Sequence, residues 1–226
     1  MADFHQTGVI ATFHRFGPTD VARLEKDLEE FNQHRPIALV LPVTPTELAA
    51  PALQRILDNL KDVRYLHEIV ITLGRTADRE HFLKARKMFA ILPQRHQIIW
   101  ASGPSLAKIY RLLEENDLSA GGDGKGRSAW IAYGHILARD ESKVIALHDC
   151  DIVNYSREML GRLCYPVSSW NIDYAFCKGY YARVTDRMHG RVTRLFVTPL
   201  IRSLAQILGS TPLLAYLDSF RYPLAG

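Results

Sequence analysis

Five apolar residues in a row, Ile37-Ala38-Leu39-Val40-Leu41, met at once by Pro42, constrain this chain more than any other feature. A run so short, rich in branched side chains and without polar alternation, fits a strand covered on both faces. The proline, which has no N–H for a ladder, is expected to stop it. Just upstream, Val21, Leu24, Leu28 and Phe31 recur at three- and four-residue steps. That spacing predicts an amphipathic helix, started by Pro18-Thr19-Asp20.

The alternation continues. Leu53, Ile56, Leu57 and Leu60 predict a helix, residues 68–72 a strand, 79–89 a helix and 97–100 a strand. Leu106, Ile109, Leu112 and Leu113 predict another helix. After a glycine-rich loop over 121–126, a helix over 127–138 leads into a strand over 143–147. Strands and helices exchanged at such short intervals imply right-handed crossovers. The expected class is α/β: a Rossmann-like, mainly parallel sheet with flanking helices on both faces. Beyond Asp151 the pattern loosens into a helix over 156–163, a strand over 173–177, a polar basic stretch and a helix over 199–208.

Composition narrows the partners. With 226 residues, 47% of them hydrophobic and 23% charged, the chain can bury a full core, and disorder is not expected away from its ends. A net charge of +4, spread along the chain, suits a small anion as well as nucleic acid. In the basic stretch few aromatics interleave beyond Tyr180 and Tyr181, which argues against a base-stacking platform and a nucleic-acid partner. Three cysteines without CxxC spacing argue against a disulfide framework or a thiolate metal site, and for a reducing, cytoplasmic setting. No basic-then-apolar leader and no run of ~18 apolar residues is present, so no membrane association is expected.

Ligands of open parallel sheets bind beyond the carboxyl ends of the strands. The strand over 143–147 runs into His148-Asp149-Cys150-Asp151. Two carboxylates two residues apart can put one oxygen on a hard cation and another on a sugar hydroxyl, leaving coordination positions for diphosphate oxygens. Taken alone, such a pair more often caps a helix or faces solvent, and His148 reads as a packed or hydrogen-bonded histidine. Gly121-Gly122-Asp123-Gly124-Lys125-Gly126 could bring backbone and one ammonium against a phosphate. It lacks the hydroxyl residue and the spacing of a Walker A loop. Glu47, past the first strand, could accept from a base or ribose, though a carboxylate at the head of the next helix is the favoured reading. Lys178, Arg183, Arg187, His189, Arg191 and Arg194, with Gly190 and Thr193 among them, form either a phosphate or carboxylate site or a solvated basic loop.

In order along the chain these segments resemble the retaining glucosyl-3-phosphoglycerate synthases and their mannosyl relatives. The resemblance rests on Leu41-Pro42 with Glu47, Gly124-Lys125-Gly126, Asp149-Cys150-Asp151, Phe176-Cys177-Lys178-Gly179-Tyr180-Tyr181, and Gly190-Arg191-Val192-Thr193-Arg194-Leu195 followed by Pro199-Leu200. It implies the nucleotide-diphospho-sugar transferase fold (GT-A type), incomplete at the carboxyl end, over residues 36–226, with residues 1–35 a helical extension. It also implies a nucleotide-sugar donor bound by Pro42, Glu47, Lys125, Asp149 and Cys150, with Asp149 as the catalytic contact. Asp151 would hold Mg2+ or Mn2+. Lys178, Gly190, Arg191 and Thr193 would hold a small phosphorylated acid, and a homodimer is expected. The activity implied is glucose transfer from an NDP-glucose, UDP-glucose first, to 3-phosphoglycerate. A mannosyl- or glycerate-using enzyme, or a non-catalytic binding module, stays open beside it. Two departures stand out. Thr72-Leu73-Gly74-Arg75 has no carboxylate where the family has an Asp- and Ser-containing turn, and Thr44, Thr46 and Glu47 replace its Asn-Glu-Glu. The family also continues past this sequence with a Gly-Glu-aromatic loop and a metal-binding His.

Overall fold

A computed structural model describes residue 13 and residues 17–179, 193–209 and 211–212. The described residues fall into two units. One is Thr19–Ala175; the other is made from Met1–Pro18 and Phe176–Gly226.

In the first unit, four parallel strands, β1 (Ile37–Val43), β2 (Glu68–Leu73), β3 (His96–Trp100) and β4 (Val144–Leu147), stand in the order β3-β2-β1-β4. The order reverses at β1, so the crevice between β1 and β4 is the topological switch point of the sheet. Ala38 pairs with Glu68 and Val43 with Leu73 on one side, and Ile37 pairs with Val144 and Val40 with Leu147 on the other. All seven residues of β1 are buried, as the apolar run requires. At about 1.5–3 kcal/mol per fully buried aliphatic side chain, this strand is a large part of the driving force for the sheet.

Pro42 does not end the strand: it lies inside β1, one residue before the end and opposite Thr72. The reason is parity. In a parallel sheet successive residues bond to alternate neighbours. Ile37 and Val43 accept from His67 and Gly74 on the β2 side, and Pro36 accepts from Lys143 and Val144 on the β4 side. Pro42 shares the parity of Pro36, so its missing N–H faces β4 beyond that strand's last paired residue, Leu147. No ladder bond is lost.

One face of the sheet is thickly covered. Helices α1 (Val21–Asn32), α2 (Pro51–Leu60), α3 (Arg79–Phe89) and α6 (Arg157–Ser168) bring Leu28, Leu53, Ile56, Phe89 and Leu160 onto Ile37, Leu39, Ile69 and Ile71. The N-terminal helix thus packs into the main core: Leu24 and Leu28 close over Gly161, and Tyr165 sits edge-on to Phe31. The other face is covered by α5 (Lys125–Arg139), whose Ala132 and Ile136 meet Ala38, Val40 and Val70. Helix α4 (Pro104–Glu114) has the expected amphipathic spacing but no buried residue, with Ile109 49% and Leu112 60% exposed. The strand expected over 173–177 does not form; Asp173 turns left-handed (φ 51°) and pairs with Arg35. In the second unit, a π-type turn (Thr193–Val197) leads into α7 (Thr198–Leu208), matching the last expected helix. No helix among the described residues is long and apolar enough to cross a membrane, and Cys150, Cys164 and Cys177 are free thiols.

Candidate functional site

The four strand exits bring most of the expected residues of the first unit to one edge of the sheet. From β4 the chain passes through buried His148 to half-exposed Asp149, buried Cys150 and exposed Asp151. His148 sits below this turn with Nδ1 3.2 Å from the Asp149 carbonyl and Nε2 3.2 Å from the Tyr155 hydroxyl. Those two partners fix the neutral tautomer that donates from Nδ1 and accepts at Nε2. Burial, with Lys125 nearby, pushes the ring down to about 3, so it stays uncharged at neutral pH. His148 is a support for the Asp149 turn, as the packed reading has it. Cys150 is fully buried and burial pushes its thiol up, so its main chain is what it can offer a ligand.

Lys125 is the first residue of α5 and Gly124 its cap, in extended conformation. A cation at this end opposes the helix dipole, and the first turn of α5 contains no acidic residue. The free N–H groups and the ammonium therefore converge as positive potential, the arrangement that suits an anion. In this structure the ammonium rests on the Asp149 carboxylate across the β1–β4 crevice, with both side chains about half exposed. Residues that the sequence separates by 24 positions meet at the switch point.

Glu47 heads a short 3-10 turn (Glu47–Ala49) and accepts from the Thr44 N–H at 2.6 Å, closing the β1 exit. This is the local capping role favoured from sequence. Pro42 lies beside the crevice, buried. Lys178 belongs to the second unit, whose placement relative to the crevice is not described. Gly190 and Arg191 lie outside the described residues, as does the side chain of Thr193.

Sequence reasoning missed a second cluster. Asp123, read as part of a glycine loop, accepts from Ser102 Oγ at 2.6 Å and from the Arg75 N–H at 3.3 Å, and pairs with Arg127 at 3.0 Å. Burial alone would raise its carboxyl, but Ser102, the Arg75 N–H and Arg127 outweigh it and hold the group below the ordinary range. Arg127 also lies over the Tyr110 ring of α4, 4.7 Å from its centroid. Arg75 is left-handed (φ 57°), a conformation that costs a non-glycine residue about 1–2 kcal/mol. The available signal was an Asp set between glycines directly before Gly-Lys-Gly, too common a pattern to single out.

No group of three or more His, Cys, Asp or Glu side chains placed to enclose a metal exists among the described residues. Asp149 and Asp151 therefore fit a cation of the magnesium type, held by one or two carboxylates and completed by ligand phosphates, rather than one caged by protein.

No family model matches the chain. A glucosyl-3-phosphoglycerate synthase of Persephonella marina is 49% identical over 226 residues, all of this chain and 56% of that protein. Another, from Methanococcoides burtonii, is 36% identical over 228 residues, 99% of this chain and 55% of that protein. The chain thus spans a little over half the length of these curated relatives. The fold matches a crystal structure of the Mycobacterium tuberculosis glucosyl-3-phosphoglycerate synthase in complex with Mn2+, UDP-glucose and phosphoglyceric acid. That match has a TM-score of 0.53 at 20% identity, covering 88% of this chain and 59% of that one. A complex of the same enzyme with Mn2+, UDP and glucosyl-3-phosphoglycerate gives 0.51, also at 20% identity. At that identity the likeness speaks for the GT-A fold alone. Along its whole length the chain is a homologue of the glucosyl-3-phosphoglycerate synthases, matching just over half of theirs.

Proposed function

We propose that this chain holds the donor of a retaining glucosyltransferase, UDP-glucose, across its strand exits with Mg2+ or Mn2+, for transfer of glucose to 3-phosphoglycerate. The observation that carries this reading is the meeting of Lys125 with Asp149 at the β1–β4 switch point, in a chain 49% identical to a glucosyl-3-phosphoglycerate synthase. A diphosphate entering the crevice takes Lys125 as its counter-ion and the head of α5 as its donor set, releasing Asp149 to the ribose or sugar hydroxyls. Asp149 is the catalytic contact in this reading, since it alone stands between the ammonium and the open side of the crevice. Asp151 holds the cation, which when bound neutralises charge on the leaving diphosphate. Pro42 and Glu47 border the nucleotide, with Glu47 keeping the β1 exit closed through Thr44. Cys150 contributes its main chain.

The acceptor phosphate falls to Lys178, Gly190, Arg191 and Thr193. No protein nucleophile is assigned, so catalysis rests on positioning and electrostatics. The protein works as a symmetric dimer in a reducing compartment, in keeping with its free thiols.

Calorimetry with UDP-glucose and GDP-mannose, each with and without Mn2+, tests the reading. UDP-glucose should bind, metal should tighten it, and Asp151→Asn should abolish the metal effect. Binding of neither nucleotide in the presence of metal, or no change with Asp151→Asn, overturns it.

A further inference from the structure

We infer that Asp123 reads the base of the nucleotide, supplying from the glycine-rich loop the carboxylate that the β2 exit lacks. This rests on the reading that a nucleotide lies across the strand exits. β2 leaves the sheet as Leu73-Gly74-Arg75, with no acidic side chain of its own. The Asp123 carboxylate is delivered to that point: one oxygen is 3.3 Å from the Arg75 N–H and 3.6 Å from where a Gly74 side chain would begin. The other oxygen is bound by Ser102, just past β3. Asp123 therefore spans the β2 and β3 exits, while Lys125, two residues on, spans the β1–β4 crevice.

The spacing suits one ligand. Adjacent strands lie about 5 Å apart, so β4 and β2 are separated by about 10 Å along the sheet edge. That is the scale on which a nucleoside separates its diphosphate from the far edge of its base. With the diphosphate on Lys125, the base is carried over β1 to Gly74, which has no side chain to exclude it. Nothing would crowd a side chain added at Gly122 or Gly124, so the loop on either side of Asp123 is open as well.

The chemistry suits one kind of edge. An ionised carboxylate only accepts, at about four lone-pair positions. Ser102, Arg75 and Arg127 occupy three, and a third of the side chain remains exposed. The free position calls for a ring N–H. Uracil offers one at N3, flanked by carbonyl oxygens that the donors around Asp123 can meet. Holding the loop in place is a second role the same contacts would serve, and the experiment separates the two.

The measurement is calorimetric affinity, with Mn2+, for UDP and for UDP methylated at uracil N3, on the wild-type chain, Asp123→Asn and Asp123→Ala. A hydrogen bond to a charged group corresponds to roughly 10–100-fold in affinity, so N3-methylation should weaken wild-type binding by that much. Asp123→Ala should bind both nucleotides alike, within about threefold. Asp123→Asn keeps the shape and an amide acceptor, and should discriminate only about fivefold. Equal discrimination by the wild type and either variant overturns the inference, as does wild-type indifference to the methyl group; in both cases the nucleotide reading survives. If wild-type chain fails to bind UDP with Mn2+ at all, the nucleotide reading falls and takes the inference with it.

Discussion

Gly74 sits where the β2 exit touches the first turn of α5, and replacing it by alanine would probe that contact directly. A Cβ added there would lie 2.7 Å from Ser128 Oγ, well inside the ~3.5 Å at which non-bonded atoms come to rest. Ser128 is buried on a helix whose inner face carries Ala132 and Ile136, so its hydroxyl has little room to swing away. Overpacking of this kind costs about 1–3 kcal/mol. Gly74 does not have a positive φ, so alanine also removes unfolded-state freedom, a gain of about 0.4–1 kcal/mol. The net expectation is a loss of about 1–2 kcal/mol. Deleting the offending oxygen should remove the penalty: in the Gly74→Ala/Ser128→Ala double variant the two changes should couple favourably by about 1–2 kcal/mol. Urea denaturation of the four proteins in the cycle measures this, provided m is unchanged. A coupling below about 0.5 kcal/mol would mean that the helix head does not press on the strand exit, and the placement of Asp123 and Lys125 would need another cause.

Other expectations follow from the same contacts. Lys125→Ala removes the cation opposite Asp149 and should weaken UDP binding by roughly 10–100-fold in calorimetry, with the melting temperature little changed because the pair is half exposed. Leu28→Ala empties a fully buried position between α1 and α6 and should cost about 2–5 kcal/mol in a single cooperative transition. A separate early transition would show α1 to be an appendage instead. Glu141 is held below the usual carboxylate range, by its hydrogen bond from Arg139 first and by His67 in addition. The folded state then binds fewer protons than the unfolded one just below the ordinary glutamate value. Stability rises with pH there and is lost as pH falls through the folded value. Glu141→Gln should flatten that acid limb of the melting-temperature profile and leave the neutral value within a few degrees; an unchanged limb would refute the assignment.

Much of the sheet was legible because burial on two faces leaves an unmistakable pattern: β1 and β2 read directly, and the helices over 21–31 and 79–89 fall within a residue of α1 and α3. What failed did so for identifiable reasons. Pro42 was read as a stop because sequence shows that a donor is missing, not which neighbour it faces. Ile109 and Leu112 have helical spacing, but spacing says nothing of what lies opposite, and α4 buries neither. The segment 173–177 has strand-like residues but no free sheet edge within its unit to join, and turns on Asp173 instead. In the site, Asp149 and Lys125 were legible as separate motifs, and only the fold brings them together. Asp123 was invisible because its partners, Arg75, Ser102 and Arg127, come from three elements whose approach no local pattern encodes.

Pro42 has one more implication. Since β1 continues to Val43 while its pairing with β4 ends at Val40 and Leu147, the two strands part like the jaws of a fork, and the proline is the wedge that keeps them from zipping further. The opening is written into the main chain rather than held by any side chain. A guest arriving there has no sheet hydrogen bond to break before it can settle, and substitutions around the rim can retune what is admitted without shutting the entrance.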